Sequence, residues 1–575
     1  MVSIPLRNRL RSVIGSVFRR PIIRARDRYL QLARTSCREV QHETLRRLLQ
    51  LNGDSDFSHR YGLQPGLSLS EFRSRLPVAG YETFRPWIER MQAGNHSALL
   101  GRKNHLLMYA VTSGTTAQPK LIPITDAFLS DYRRGWQHWG IAVHQQHSLL
   151  RQLRMVQITS SHDRWKTPDG TACGNISGLV TAMQKPIVRK LYTVPAAVSC
   201  IDDPAARRYA IARFAFADPW VGMLITANPA TILQLIASAS DSAETLIRDI
   251  HDGTLSPSAD IPRTIREVLA RHLKRSPERA TQLQKILEQC GRLDPARCWK
   301  HLSVLGVWTG GSAGAYLPEL RRVFGDLTIR DHGLHASEGR MTIPFHDNTA
   351  AGMLDIESHF FEFIPVEQID QESPDVLEAH ELQTARDYFI LLTTSSGLYR
   401  YNIHDVVRCA GFEGTTPLLE FRHKGAHISS ITGEKITESQ VVESVRQASA
   451  SHNALLKCFT MTPVWGDPPG YRLFVGCDDG TEQRIDLNQL ALTADQLLRQ
   501  RNCEYDEKRG TGRLADLQCQ VIPDTAWQRF TQSRLQKSGG SQEQYKHPCL
   551  LPDADFENHF LKTSGLANPV KHDRN

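Results

Sequence analysis

The chain has 575 residues, 40% hydrophobic and 23% charged, with no low-complexity tract or internal repeat, which excludes a fibrous or disordered protein and leaves ample chain for a large core. Its formal net charge of +8 points to nucleic acid only until it is located: residues 1–30 hold eight arginines (Arg7, Arg9, Arg11, Arg19, Arg20, Arg24, Arg26, Arg28) against Asp27 alone, so the remainder is nearly neutral. Eleven cysteines, none in a Cys-x-x-Cys pair or a His/Cys cluster, argue against a structural zinc site and for reduced thiols in a cytoplasmic setting.

In chain order, Leu10, Val13, Ile14, Val17 and Phe18 recur at helical spacing and predict a basic amphipathic helix within residues 1–30, ended by Pro21. That helix is expected to dock on the protein body with its arginines outward; weak contact with an anionic membrane surface is the second reading. Residues 1–30 lack the continuous apolar stretch and small-residue cleavage site of a secretory signal. Arg24 to Asn52 predicts a further helix, and Tyr81 to Gln92 a shorter one. Leu106 to Val111 reads as a buried strand feeding the loop Thr112-Ser113-Gly114-Thr115-Thr116, with Lys120 close behind. Pro219 to Ser240 carries no formal charge, but Pro219, Asn228-Pro229 and Gln234 interrupt it. It reads as a strand over Val221 to Thr226, a turn, and a helix from near Ala230 rather than a membrane span.

Three loops carry chemistry. The small residues at Thr112 to Thr116 let the backbone approach a ligand, and their N–H and O–H groups suit phosphate oxygens, although the Gly-Lys-Ser/Thr ending of a Walker A loop is missing. A strand over Leu302 to Trp308 leads into Thr309-Gly310-Gly311-Ser312-Ala313-Gly314, then a helix over Tyr316 to Phe324, a turn open to a flat ligand. The strand Leu327 to Asp331 is followed by His335-Ala336-Ser337-Glu338-Gly339, where Glu338 is a candidate Mg²⁺ ligand. Further on, Ser396-Gly397-Leu398-Tyr399-Arg400-Tyr401 and Asp405-Val406-Val407 predict two strands joined by a tight turn at Asn402 to Asp405. Asp405 suits either a turn cap or the two hydroxyls of a ribose. Taken singly, the first loop reads as a solvated turn and Glu338 as a surface carboxylate.

Together and in this order, these motifs resemble the Gretchen Hagen three family of acyl-acid amido synthetases, within the adenylate-forming superfamily. The likeness runs over nearly the whole chain and includes Gly-Glu-Lys at Gly433 to Lys435 and a Gly-Gly-Ser…Gln-Tyr-Lys stretch ending at Lys546. The resemblance implies an α/β (mixed α+β) adenylate-forming fold. A large N-terminal domain, residues 31–423, would hold β-sheets flanked by helices and a β-barrel-like part. A small mobile α+β C-terminal domain, residues 424–575, would turn about a hinge at Lys424. By the same resemblance Ser113, Thr115 and Thr116 wrap the ATP phosphates, Gly310, Gly311 and Ser312 lie against adenine, and Ser337 and Tyr399 belong to the nucleotide site. Asp405, with Arg422, holds the ribose. Glu338 stands by Mg²⁺ and phosphate, and Lys546 reaches the α-phosphate; these two are the candidate catalytic residues.

The implied reaction is ATP-dependent: a carboxylic acid attacks the α-phosphorus, pyrophosphate leaves, and an amine, usually from an amino acid, then displaces AMP. Such chemistry asks the protein to position anions rather than to supply a nucleophile, in keeping with the absence of a Gly-x-Ser-x-Gly elbow. An acyl-CoA ligase shares the first half-reaction and is the nearest alternative. A non-catalytic nucleotide- or acyl-binding protein is the other, motivated by His404, where relatives carry glycine, and by His335, where they carry a small or aromatic residue. Side chains binding the acid are expected from Thr159 to Ile211 and near Thr226. Expected partners are the small-molecule acid and amine and not nucleic acid.

Overall fold

The computed structural model describes residues 4–112, 120–159, 161–184, 186–256, 261–369, 371–425, 428–429, 431–432, 434, 436–477, 485–538, 545–553, 556 and 560. Helix α1 spans Leu6–Thr35 and α2 spans Cys37–Leu51. Contrary to the sequence expectation, α1 runs through Pro21, and the break falls at Ser36. A mid-helix proline removes one backbone hydrogen bond. The second half of α1 is anchored beyond it, by Arg26 on the Gln145 side chain and by the Tyr29 hydroxyl donating to the Leu354 carbonyl at 2.8 Å.

Strand β1 (Leu106–Thr112) pairs antiparallel with β2 (Lys120–Thr125), with Thr112 opposite Lys120. Helix α3 (Asp126–Gln146) follows at once, its first turn capped by the Thr125 hydroxyl, which accepts the Phe128 N–H at 3.1 Å. Next, β3 (Arg154–Gln157), β4 (Val221–Ile225), β5 (Val304–Val307) and β6 (Thr328–Asp331) lie side by side in that order, all parallel. Their near-continuous apolar composition suits a sheet covered on its faces, and Leu224, Leu305 and Ile329 are buried in one cluster with residues of helices Pro204–Ala217 and Pro229–Asp241. The C-terminal ends of these strands share one edge, where open α/β sheets bind ligands.

A two-residue hairpin, β7 (His335–Ala336) and β8 (Gly339–Arg340), carries Ser337-Glu338 at its tip. Strands β9 (Asp387–Thr393), β10 (Tyr401–Glu413) and β11 (Thr416–Lys424) are the centre of a seven-stranded antiparallel sheet. The C-terminal part packs helices α4 (Glu438–Ser451) and α5 (Leu487–Arg501) with a three-stranded sheet of β12 (Cys458–Val464), β13 (Gly470–Gly476) and β14 (Gln518–Val521) around its own core.

Residues 402–405 do not form the predicted turn. Strand β10 is continuous there and bulges: Phe389 pairs with Val406 and Leu391 with Asn402, so Ile403, His404 and Asp405 stand opposite Ile390 alone. The Asn402 side chain accepts the His404 N–H at 2.7 Å, which holds His404 at a φ of 59°. The chain reverses earlier, at Gly397, where φ is 79° and a Cβ would lie 2.5 Å from the Leu99 carbonyl.

Candidate active site

At the end of β5 the chain enters Trp308-Thr309-Gly310-Gly311, and at the end of β6 it reaches Asp331. The Asp331 carboxylate ties these two loops together, accepting the Thr309 N–H at 2.6 Å and hydroxyl at 2.5 Å on one oxygen and the Gly333 N–H at 2.6 Å on the other. Burial pushes Asp331 up to about 6, against the pull of those bonds. Gly311 has a φ of 54°, and a Cβ there would stand 2.7 Å from the Phe421 ring. Glycine is required on both counts. Ser312 is buried in the 3₁₀ turn that follows.

The hairpin tip and the bulge bring charges together. Glu338 is buried and held above the usual carboxylate range by that burial, with Lys424 opposing the shift. Tyr401 bonds to Glu338 and is driven up by burial and by that carboxylate. Asp405 is buried and pairs across the ladder with Lys424, whose ammonium lies 2.9 Å from it. Burial works against the Lys424 charge, but Asp405 and Glu338 more than offset this and raise its pKa.

From the C-terminal part, Lys546 places its ammonium 3.7 Å over the Trp308 ring and 5.5 Å from Phe421, and those two rings meet at 5.2 Å. Surrounding protein lowers Lys546 to about 8, with Lys424 adding to the effect and Asp405, Glu438 and Glu338 opposing it. The preceding Tyr545 carbonyl accepts the side-chain amide of Asn228, which also caps the helix after β4 by accepting the Ala230 N–H at 2.9 Å. Lys546 is therefore seated at the C-terminal edge of the parallel sheet.

The sequence-predicted residues divide accordingly. Glu338, Asp405, Lys424 and Lys546 converge, with Gly310 and Gly311 against Phe421 beside them. Ser337 is half-buried at the hairpin tip. Arg422 pairs with Glu443 of α4 at 2.9 Å, a bond between the sheet and the C-terminal part rather than one within this charge cluster. Tyr399 lies in the core, stacked on Phe57 at 5.6 Å; Tyr401, two residues on, is the tyrosine that reaches Glu338. Ser113, Thr115 and Thr116 lie outside the described residues, although the β1–β2 pair fixes where their loop starts and ends. Lys120 begins β2, its ammonium 5.5 Å over the Tyr81 ring, and its charge is felt by both Glu338 and His404. Among the described residues no group of three His, Cys, Asp or Glu side chains is gathered to hold a metal unaided.

The two unexpected histidines differ. His404 is exposed on the bulge and is lowered by its surroundings together with the Lys120 and Lys424 charges. His335 enters an aromatic cluster, 6.3 Å from Tyr132 and 6.2 Å from Trp136 of α3 and 5.9 Å from His332, and its Nδ1–H donates to the Gly333 carbonyl, 2.9 Å away. Burial with the charges of Arg340 and Lys546 pushes His335 down to about 4, and His332 lies well below the ordinary range for the same leading reason. Both rings are neutral at physiological pH. Sequence reasoning missed this cluster and missed Asp331, Trp308 and Phe421, since aromatic residues on a helix and a strand end read as core.

Comparison with known proteins agrees over the same span. The GH3 family N-terminal domain matches residues 27–329, the GH3 family central domain residues 352–424, and the GH3 family C-terminal domain residues 439–555. The jasmonoyl–L-amino acid synthetase JAR4 of Nicotiana attenuata is 26% identical over 461 residues, 76% of this chain and 78% of that protein. The indole-3-acetic acid-amido synthetase GH3.8 of Oryza sativa subsp. indica is 24% identical over 555 residues, 91% and 89% of the two chains. Among solved structures, the GH3.15 acyl acid amido synthetase superposes with a TM-score of 0.80 at 20% identity, over 93% of this chain and 95% of that one. A 2-hydroxyisobutyryl-CoA ligase in the postadenylation state with 2-HIB-AMP reaches a TM-score of 0.51 at 12% identity, over 92% of each chain. The fold is that of the adenylate-forming enzymes.

Proposed function

The chain belongs to the GH3 family, and from that premise we propose that it is an ATP-dependent acyl-acid amido synthetase, joining a carboxylic acid to an amine, most simply that of an amino acid, through an acyl-adenylate. One observation carries the reading: two carboxylates, Glu338 and Asp405, and two ammonium groups, Lys424 and Lys546, meet at the C-terminal edge of the parallel sheet beside the Trp308 and Phe421 rings. That is equipment for an anionic, partly aromatic ligand. In this reading the base of ATP lies toward Trp308, Phe421 and the Gly310-Gly311 backbone, the ribose at Asp405, and the α-phosphate toward Lys546.

The carboxylate of the acid attacks the α-phosphorus, and the bond to pyrophosphate breaks. The protein's task is to hold the two anions in line and to stabilise charge that builds on the phosphorus oxygens, which Lys546 does as a positioned cation. A Mg²⁺ ion would suit Glu338, a hard oxygen donor that burial holds above the usual carboxylate range. Bound there with the phosphates, it would offset the charge of the leaving pyrophosphate. In this reading the acyl group lies against Tyr132, Trp136 and His335, because His335 links the Lys546 end of the site to the aromatic cluster, which the Arg340 guanidinium backs 4.6 Å over the Trp136 ring. His404 is exposed on the bulge beside Asp405.

The second half-reaction separates this reading from an acyl-CoA ligase. Adenylated enzyme is offered CoA and a mixture of amino acids in separate reactions, with AMP release and product mass followed. Amide products and AMP release with amino acids alone are expected; release with CoA alone overturns the amide assignment.

A further inference from the structure

Up to Pro21, helix α1 turns polar residues to the protein and apolar residues to water. Asn8, Arg26 and Tyr29, which share one side of the helix at 100° per residue, are 4%, 8% and 1% exposed. Leu6, Leu10, Val13 and Val17 lie on the opposite side, Ile14 and Phe18 on the flank between it and Tyr29, and all six are 52–72% exposed. This reverses the docking expected from the sequence, in which the arginines alone face outward. The row is edged by exposed Arg9 and Arg20, and beyond Pro21 its line is continued by exposed Arg24 and Arg28. The acidic residue of the segment, Asp27, is already taken by Arg26.

A second feature adjoins the row at Arg20. Between α1, α3 and residues 148–152 is a cavity of about 220 Å³ lined by Ser16, Arg19, Arg20, His144, Gln145 and Arg151, with apolar Ile23 and Ile141 completing it. No carboxylate lines it. Two copies of α1 packed through the apolar row would bring their bordering arginines together, and nucleic acid would leave six large apolar side chains in water. A surface that is apolar beneath and anionic on top satisfies both halves of the helix.

We propose that α1 seats this protein peripherally on an anionic lipid bilayer, with Leu10, Val13, Val17 and Phe18 at the acyl boundary, the bordering arginines on lipid phosphates, and the arginine-lined cavity receiving one headgroup. The proposal is independent of the adenylation reading, since none of these residues belongs to that site.

The test uses the full chain, sedimented with phosphatidylcholine vesicles that are either pure or about one-third phosphatidylglycerol. Binding to the anionic vesicles alone is expected, weakened by at least about tenfold at high salt because exposed charges are screened. The Val13→Asp/Val17→Asp variant should bind at least about tenfold more weakly with an unchanged unfolding midpoint, since both positions are exposed. Phe18→Trp should show a blue-shifted emission on anionic vesicles. No sedimentation with anionic vesicles, or equal binding by the aspartate variant, overturns the proposal. So does tighter binding to duplex DNA than to vesicles, or a concentration-dependent dimer that the aspartate variant dissolves.

Discussion

Replacing Lys546 by methionine separates its chemical role from its structural one. The ammonium sits 3.7 Å over the Trp308 ring, a contact worth about 0.5–2 kcal/mol depending on how dry it is. Methionine keeps the unbranched stem, and its sulfur on the same ring returns roughly 0.3–1.5 kcal/mol. The net change in stability is therefore within about 1 kcal/mol, and in a chain of this length the unfolding midpoint should move by no more than about 4 °C. Activity should behave differently. Removing one positioned donor from a charge-building transition state costs about 10²–10³ in rate, or about 2.7–4 kcal/mol. Acid-dependent exchange of labelled pyrophosphate into ATP, measured beside thermal unfolding of the same preparation, is the assay. Exchange in Lys546→Met at the wild-type rate refutes the role assigned to the ammonium, and so does a loss of exchange that merely tracks a loss of folded protein.

Four further outcomes follow from the same geometry. Lys546 is charged below about 8 in the free enzyme, so kcat/KM for exchange should fall as pH rises through that value, and Lys546→Arg should move the limb upward; a profile flat to pH 10 would contradict the assignment. Gly311→Ala forces a side chain into the left-handed region and onto Phe421, costing about 1–2 kcal/mol in denaturant melts and weakening ATP binding measured by calorimetry. Arg400 holds buried Glu362 at 3.0 Å while Arg73 holds its other oxygen at 2.8 Å, so Arg400→Ala should cost about 3 kcal/mol by equilibrium unfolding, much of it recovered by adding Glu362→Gln. Trp136→Ala should widen the acid preference toward bulkier acids in a mixed-acid panel, with KM for ATP unchanged.

What could be read from sequence depended on whether a residue's chemistry or its neighbours set its place. The helix Tyr81–Gln92, the strand before Asn228 and the loops after β5 and β6 were legible, because apolar runs ended by proline or glycine have few conformations open to them. Glu338 stood out as a charge among small residues and Asp405 as one in an expected turn, whereas Lys546 came from the family resemblance alone. The bulge at His404 was not legible: a histidine gives no sign of a positive φ, and the Asn402 side chain that stabilises it mimics a turn signal. Asp331 was hidden because Thr309, whose N–H and hydroxyl it accepts, is brought in from another strand end. The continuity of α1 through Pro21 was hidden for the converse reason, since the contacts that hold it lie far away in the chain. The aromatic cluster of Tyr132, Trp136 and His335 was not legible, because it joins α3 to a hairpin far away in the chain.

The central claim is that the charges gathered around Asp405, Glu338 and Lys546 activate an acid on ATP. Carboxylate-dependent exchange of pyrophosphate into ATP, run across a broad acid panel with wild type and Asp405→Ala, tests it most directly. The account predicts exchange with at least one acid and a loss of about 10²-fold or more in the variant. ATP-Mg²⁺ binding without exchange for any acid, or full exchange in Asp405→Ala, would contradict it.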